Sequence, residues 1–178
     1  MAEAFSNKVS RAAGIVTSTT GGAIGITTNL ITGISTVHVA VNDLVDTGNF
    51  ILGTKVTNIG VSSVTCDRDS TNTAAATNQS VKFLGVTTAY TSTGTKSILV
   101  GGTFANNTSQ SVNLTVQVWD NSASTEVAIA GKIPVPNGSS FVITDAGKTV
   151  LESSDEIRIY CDTANAIDAT LSILTGVS

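Results

Sequence analysis

The chain has 178 residues, and 41% of them are hydrophobic but only 12% charged, about half the usual charged share, so its polar surface has to come from Ser, Thr and Asn. A net charge of -4 with a pI near 4.7 and no basic run leaves nothing to neutralise phosphates, which argues against a nucleic-acid partner. Mean hydropathy is +0.27, yet Gly, Thr, Asn or Asp interrupts every apolar run well short of the ~18 residues a spanning helix needs, which argues against a membrane partner.

Residues 1–15 read as an N-terminal arm. Phe5, Val9 and Ala13 recur at helical spacing, and a short helix or an extended segment leading into a first strand accounts for them equally well. The arm lacks the apolar stretch of a signal peptide, so the expectation is synthesis and retention in a cytoplasm until assembly or lysis. The Thr/Gly-rich stretch 17–29 reads as a flexible connection or an edge strand with turns. Strand-like runs follow at 35–41, 55–59 and 63–66, punctuated by Asn42-Asp43, Gly48-Asn49 and Gly60. The polar tract 67–80 has too little apolar content for a core strand.

From Val81 onward the runs become regular: 81–89, 96–104, 111–119, 125–133, 139–144, 156–161 and 167–174. Leu114, Val116 and Val118 share one face, as do Val127, Ile129, Gly131 and Ile133, and as do Ala169, Leu171 and Ile173. Turn signals lie at Asn106-Asn107, Asp120-Asn121, Asn137-Gly138 and Ala146-Gly147. Thr, Val and Ile on pleated surfaces with such spacing predict an all-β chain carrying a β-sandwich or jelly-roll-like domain.

The segments FANNTSQSVNLTVQVWDN, IPVPNGSSFVI, TVLESSDEIRI and NAIDATLSIL resemble a β-sandwich domain common in virion structural proteins of tailed bacteriophages, over most of 86–178. In that family a strand of alternating Val and Thr leads to a V-P-x-G-x-S turn, a V-L-E-x-G-D turn and a closing strand; here Ser154 stands in place of the usual Gly before Asp155. VAVNDLVDTGNFILGTKVTNIGVSSVTCDRDST is similar to a recurrent module of marine and cyanobacterial phage proteins, with Asn42 in place of the usual Gly and Gly53, Thr54, Val56 and Ile59 kept. AFSNKVSRAAG resembles the usual opening of the sandwich.

The resemblance implies three parts: 1–15 as the first strand of the sandwich, 16–85 as a small inserted β domain, and 86–178 as the sandwich. It implies a non-enzymatic virion structural protein, made in the bacterial host cytoplasm, acting as a capsid decoration or neck component through contacts with other virion proteins. A tail- or fibre-associated protein with a receptor-binding role is the alternative. Because small sandwiches leave edge strands to be covered, a homo-oligomer is expected, with a trimer as its order.

No catalytic, cofactor or metal residues are assigned. His38 reads as an exposed strand residue, with no nucleophile motif beside it. Asp67-Arg68-Asp69 reads as a local salt bridge in preference to a calcium loop, since the alternating oxygen ligands and terminal Glu are missing. Glu152, Asp155 and Glu156 read as a solvated turn. Gly21-Gly22 and Gly101-Gly102 carry no phosphate-loop pattern, and the sequons at Asn113 and Asn137 are expected by chance. Cys66 and Cys161 fall on the apolar phase of their strands and read as small buried hydrophobes, without metal or disulfide spacing. Trp119 is the residue singled out for an interface, a place in a second-sheet core being the equal alternative.

Overall fold

The computed structural model describes residues 3–94 and 96–177, and of 145–148 the backbone only. All regular elements among the described residues are strands: β1 (Ala4–Ala13), β2 (Ile15–Ile24), β3 (Leu30–Thr32), β4 (Leu44–Asp46), β5 (Val56–Ile59), β6 (Ser63–Cys66), β7 (Ala76–Gly85), β8 (Thr87–Thr91), β9 (Lys96–Asn106), β10 (Val112–Asp120), β11 (Thr125–Val135), β12 (Ser140–Leu151), β13 (Glu156–Cys161) and β14 (Ile167–Val177). The protein is therefore all-β. It divides into two compact units, one made of 1–14 with 87–178, the other of 15–86.

The discontinuous unit is an eight-stranded sandwich. One sheet has the order β1-β14-β9-β12 and the other β11-β10-β13-β8, every ladder antiparallel. Counted along this unit, the first strand pairs with the last, the second with the seventh, the third with the sixth and the fourth with the fifth. That is a long hairpin rolled over on itself, the jelly-roll connectivity. Alternation fills the space between the sheets: Ile167, Ala169, Leu171 and Ile173 of β14, Leu114 and Val116 of β10, and Ile157, Ile159 and Cys161 of β13 are all at most 2% exposed. Phe104 of β9 joins them, its ring 6.2 Å from that of Phe141. Gly102 makes room for it, because a Cβ there would stand 2.8 Å from Leu171 Cδ2 and 3.2 Å from the Phe104 ring.

The continuous unit is a small closed barrel. Its sheet runs β4-β7-β2-β3-β6-β5, and Leu44 bridges Lys55 while Val45 N donates to Thr54 O (2.8 Å) and Val56 N to Asp43 O (3.0 Å), which returns β5 to β4. Closure leaves no free edge in this unit. Ile24, Ile31, Phe50, Val56, Val64, Cys66, Val81 and Phe83 fill the interior.

Several expectations change. The arm is the strand β1, not a helix: Phe5 and Val9 are four apart, an even number, and so share a face of a strand too. The stretch 17–29 supplies most of β2, an interior strand between β7 and β3; Gly21, at φ +82°, sits where the β2–β7 register shifts. The run 35–41 is two successive turns, closed by Val39 N to Thr36 O and Asp43 N to Ala40 O, both 3.2 Å. The run 81–89 is split at Val86, where the chain passes from one unit to the other. The polar tract ends in the outer half of β7, paired to β2 with mostly exposed side chains. Ala146-Gly147 is not a turn between strands; the backbone of β12 runs through it with a register shift between Thr144 and Thr149, and those side chains lie outside the described residues.

Candidate functional site

The two outer faces of the sandwich differ. On the β11-β10-β13-β8 sheet, Arg158 of β13 donates to Glu126 Oε1 of β11 (Nη1, 2.7 Å) and to Glu156 Oε2 (Nε, 2.7 Å), and Tyr160 Oη donates to Glu126 Oε2 (3.3 Å). The Glu126 side chain is 1% exposed, so this is an ion pair taken out of water and held by matched hydrogen bonds. The Arg158 guanidinium also lies 4.3 Å from the centroid of Trp119. Trp119 is thus a half-buried platform for a charge, not a core residue of a second sheet. Burial and the Glu126 carboxylate push the Tyr160 hydroxyl pKa upward. Gln117, in register with Arg158, is buried, and its Oε1 finds no hydrogen-bond partner among the described residues.

The outer face of the β1-β14-β9-β12 sheet is built differently. The pairing register aligns Phe5, Leu174, Ile98 and Val150 in one row across all four strands. Asn7, Ser172, Gly101 and Thr144 form a second row, two residues along on β1 and β14 but across register shifts on β9 and β12, and then Val9, Thr170, Thr103 and Val142 a third. Paired residues of an antiparallel ladder share a face, and the buried Leu171 and Ile173 of β14 mark the core side. Phe5 (74% exposed) and Val9 (75%) therefore point into solvent, while Ser6 and Ser10, opposite Ile173 and Ala169, are half-buried on the other side and Lys8, opposite Leu171, is exposed. This strand is amphipathic the wrong way round for a lone sandwich. Val100, Val142 and Val150 are also exposed on β9 and β12, and the three rows hold no charged residue. The Lys96–Glu152 pair (3.7 Å) lies beyond the first row and Asp168, which accepts from Ala12 N (2.8 Å), beyond the third.

The residues weighed from the sequence are scattered and mostly tie down turns. His38 is in a turn, at φ +66°, with its carbonyl accepting from Thr17 Oγ1; it is not a strand residue. Asp67 accepts from Lys55 N (2.8 Å) and pairs with Arg68 Nε at 3.8 Å, while Arg68 also donates to Leu52 O. The acidic trio is not a solvated turn. Asp155 is 6% exposed and its carboxylate accepts from Asn121 N (2.9 Å) and Glu152 N (2.8 Å), stapling two loops; Glu152 faces Lys96, and Glu156 holds Arg158. Cys66 and Cys161 are buried and unbonded to each other, and burial, then the charge of Asp67, pushes the Cys66 thiol up to about 12. Among the described residues no three His, Cys, Asp or Glu side chains gather in a way that could hold a metal. The outer apolar face was not foreseen, because its rows join residues as distant as Phe5 and Leu174; the signal available was the Phe5/Val9 against Ser6/Lys8/Ser10 alternation once β1 is read as a strand.

No family model, curated protein or solved structure matches the chain.

Proposed function

We propose that the chain is a non-enzymatic structural protein of a bacteriophage particle, a capsid decoration or neck component made in the host cytoplasm, that works by adding contact area between neighbouring virion subunits as a homo-oligomer. The observation that carries the reading is the apolar row Phe5, Leu174, Ile98 and Val150 on that outer face, of which Phe5 and Val150 are exposed. Exposed apolar surface bounded by polar residues is the mark of a contact face. The phage assignment rests on the sequence resemblance over 86–178, and the jelly roll, an architecture that recurs in viral capsid domains, adds a fold-level analogy. Quantitative mass spectrometry of purified virions encoding the chain tests it: hundreds of copies per particle are expected for a decoration protein and tens for a neck component, and absence from particles would sink the reading.

A tail- or fibre-tip protein that contacts a receptor is the second reading. It is favoured by the exposed Ile26, Ile51 and Leu52 of the barrel loops, which 68–72 ties together: Ser70 Oγ donates to Gly25 O, and Arg68 Nη1 to Leu52 O. Saturable binding of the labelled protein to host cells, lost on Ile51→Ser with Leu52→Ser, would select it.

A further inference from the structure

We infer that Asn137 is a site of spontaneous self-modification: the backbone nitrogen of Gly138 closes on the Asn137 side-chain amide, ammonia leaves, and the turn between β11 and β12 ends with aspartate and isoaspartate in place of asparagine. This chemistry stands apart from the reading of the chain as a virion protein and needs no enzyme, only water.

The sequence narrows the choice to one position. Attack by a main-chain nitrogen on the preceding side-chain amide is hindered by a Cβ on the attacking residue, and glycine has none. Asn137 is the one asparagine of the chain that is followed by glycine. Several of the others also have their amides tied: Asn106 Nδ2 donates to Gln110 O (2.7 Å), Asn113 Nδ2 to Asp162 Oδ2 (2.7 Å) and Asn49 Nδ2 to Asn72 Oδ1 (2.8 Å).

Around Asn137 the fold holds the frame of the turn and leaves its middle free. Pro136 O accepts from Ser139 N (3.2 Å), from Ser139 Oγ (2.9 Å) and from Asn106 Nδ2 (3.2 Å), while Asn106 N donates to Ser139 O (2.9 Å). Asn106 is 2% exposed, so the clamp is anchored inside the sandwich. Between the clamped ends Asn137 and Gly138 are exposed, and nothing lies within 4 Å of where a Gly138 Cβ would stand. Neither the Asn137 amide nor the Gly138 N–H has a hydrogen-bond partner among the described residues.

Gly138 has φ +65°, as the third residue of a type II turn requires. A type I turn differs from it by rotation of the single peptide between the two central residues. That rotation leaves Pro136 and Ser139 in place, and glycine accepts both of its end points. It swings Gly138 N past the Asn137 side chain, which is the approach the reaction needs.

The atoms balance with water alone. Gly138 N gives up its proton and bonds to Asn137 Cγ; the Cγ–Nδ2 bond breaks and Nδ2 leaves as ammonia, closing a cyclic imide. Water then adds to either carbonyl of the imide. At Cγ it breaks the new N–Cγ bond and leaves aspartate; at the main-chain carbon it breaks the original peptide bond and leaves isoaspartate, with the chain now running through the side chain. Each product adds a negative charge to a chain whose net charge is already -4.

The test is to hold the full-length folded chain in mildly alkaline buffer and follow its tryptic peptide 133–148, in which Asn137 is the sole amide side chain. Mass then assigns any conversion to acid, and fragmentation tells aspartate from isoaspartate. Conversion is expected several-fold faster than at any other asparagine, giving both acids, at a rate close to that of the same peptide free in solution. Asn137→Gln, which would have to close a larger ring, and Gly138→Ala, whose Cβ hinders the attack, are each expected to slow it several-fold with unchanged circular dichroism, and either variant suffices where the other fails to fold. An amide retained in the folded chain while the free peptide converts would overturn the inference, because the turn would then be locked. Conversion to aspartate alone, which bypasses the imide, or an unchanged rate in both variants would overturn it equally.

Discussion

Phe5 stands opposite Leu174 on the β1–β14 ladder with both side chains on the side away from the core, while the next pair along, Ser6 and Ile173, sets a hydroxyl against the core side. Ser6 Oγ is buried and finds no hydrogen-bond partner among the described residues. A buried hydroxyl stripped of water and left unpaired costs stability, so Ser6→Ala is expected to stabilise the sandwich by about 1 kcal/mol, a rise of a few degrees in Tm. A lower Tm for the variant would mean that the hydroxyl is used in the folded chain.

Both positions where the sequence departs from the glycine of its resembled motif have left-handed backbone: Ser154 at φ +72° and Asn42 at φ +74°. Asn tolerates that conformation and Ser does so less readily. Ser154→Gly is therefore expected to stabilise by about 0.5–1 kcal/mol, and Asn42→Gly by less, once the extra freedom glycine gives the unfolded chain is subtracted. Denaturant midpoints at unchanged slope would measure both. Equal gains at the two sites would contradict the argument from side-chain tolerance.

Strand periodicity made much of this fold legible. The runs 63–66 and 156–161 coincide with β6 and β13, and the alternation of Ala169, Leu171 and Ile173 faces the core as read. It failed where tertiary packing overrode local preference. Val37, Val39 and Val41 look like one face of a strand, yet the segment folds into two turns, sending Val39 into the barrel and leaving Val37 and Val41 exposed. Asp155 looked solvated because burial of an acid depends on backbone donors brought from Asn121, far off in sequence. The apolar outer face was hidden for the same reason, since its rows exist only once four distant strands are in register.

Arg158 pairs with a carboxylate held largely out of water. Replacing it with Met would take the guanidinium from Glu126, whose side chain is 1% exposed, and leave Tyr160 Oη among its donors. The expected cost is about 1–3 kcal/mol, since Tyr160 still donates to the carboxylate. Adding Glu126→Gln to Arg158→Met should recover much of that loss, as removing both charges is far cheaper than removing one. Thermal melts of the single and double variants would read this directly, and a single variant as stable as wild type would show that Glu126 finds water or another cation.

Asp43 is expected to make stability depend on pH in the reverse of the usual carboxylate sense. Burial raises its pKa above the ordinary 3.8, only partly opposed by the hydrogen bond from Ala40 N (2.8 Å). The folded chain thus holds this proton more tightly than the unfolded one, so the contribution of Asp43 is most favourable in acid and is lost as pH climbs from 3.8 to the raised folded value. Asp43→Asn keeps an acceptor for Ala40 N and removes the charge. The variant should be at least as stable as wild type at neutral pH, with the difference fading in acid. A wild type more stable than the variant at neutral pH would show instead that the charge itself is used.

The junctions of the two units predict that the barrel is removable. Gly14 N donates to Thr87 Oγ1 at 3.3 Å, so the chain leaves the sandwich and re-enters it at neighbouring points. Ala13 belongs to the sandwich core and its carbonyl accepts from Ala166 N (2.9 Å), while Asn165 N donates to Gly14 O (3.0 Å). Gly14 itself, at φ +123°, turns where a Cβ would collide with the Thr163 carbonyl oxygen. Deleting 15–86 and joining Gly14 to Thr87 through a short glycine linker should therefore leave a folded sandwich with a cooperative melt, since the barrel has its own interior and closes its own edges. Deleting 1–13 should be far more damaging, because it strips β14 of one of its two neighbours, turns it into an edge strand and removes Ala13 from the core. Circular dichroism and melting of the two deletions decide the matter: a sandwich that survives loss of 1–13 but not of 15–86 would mean that the barrel, and not β1, completes its fold.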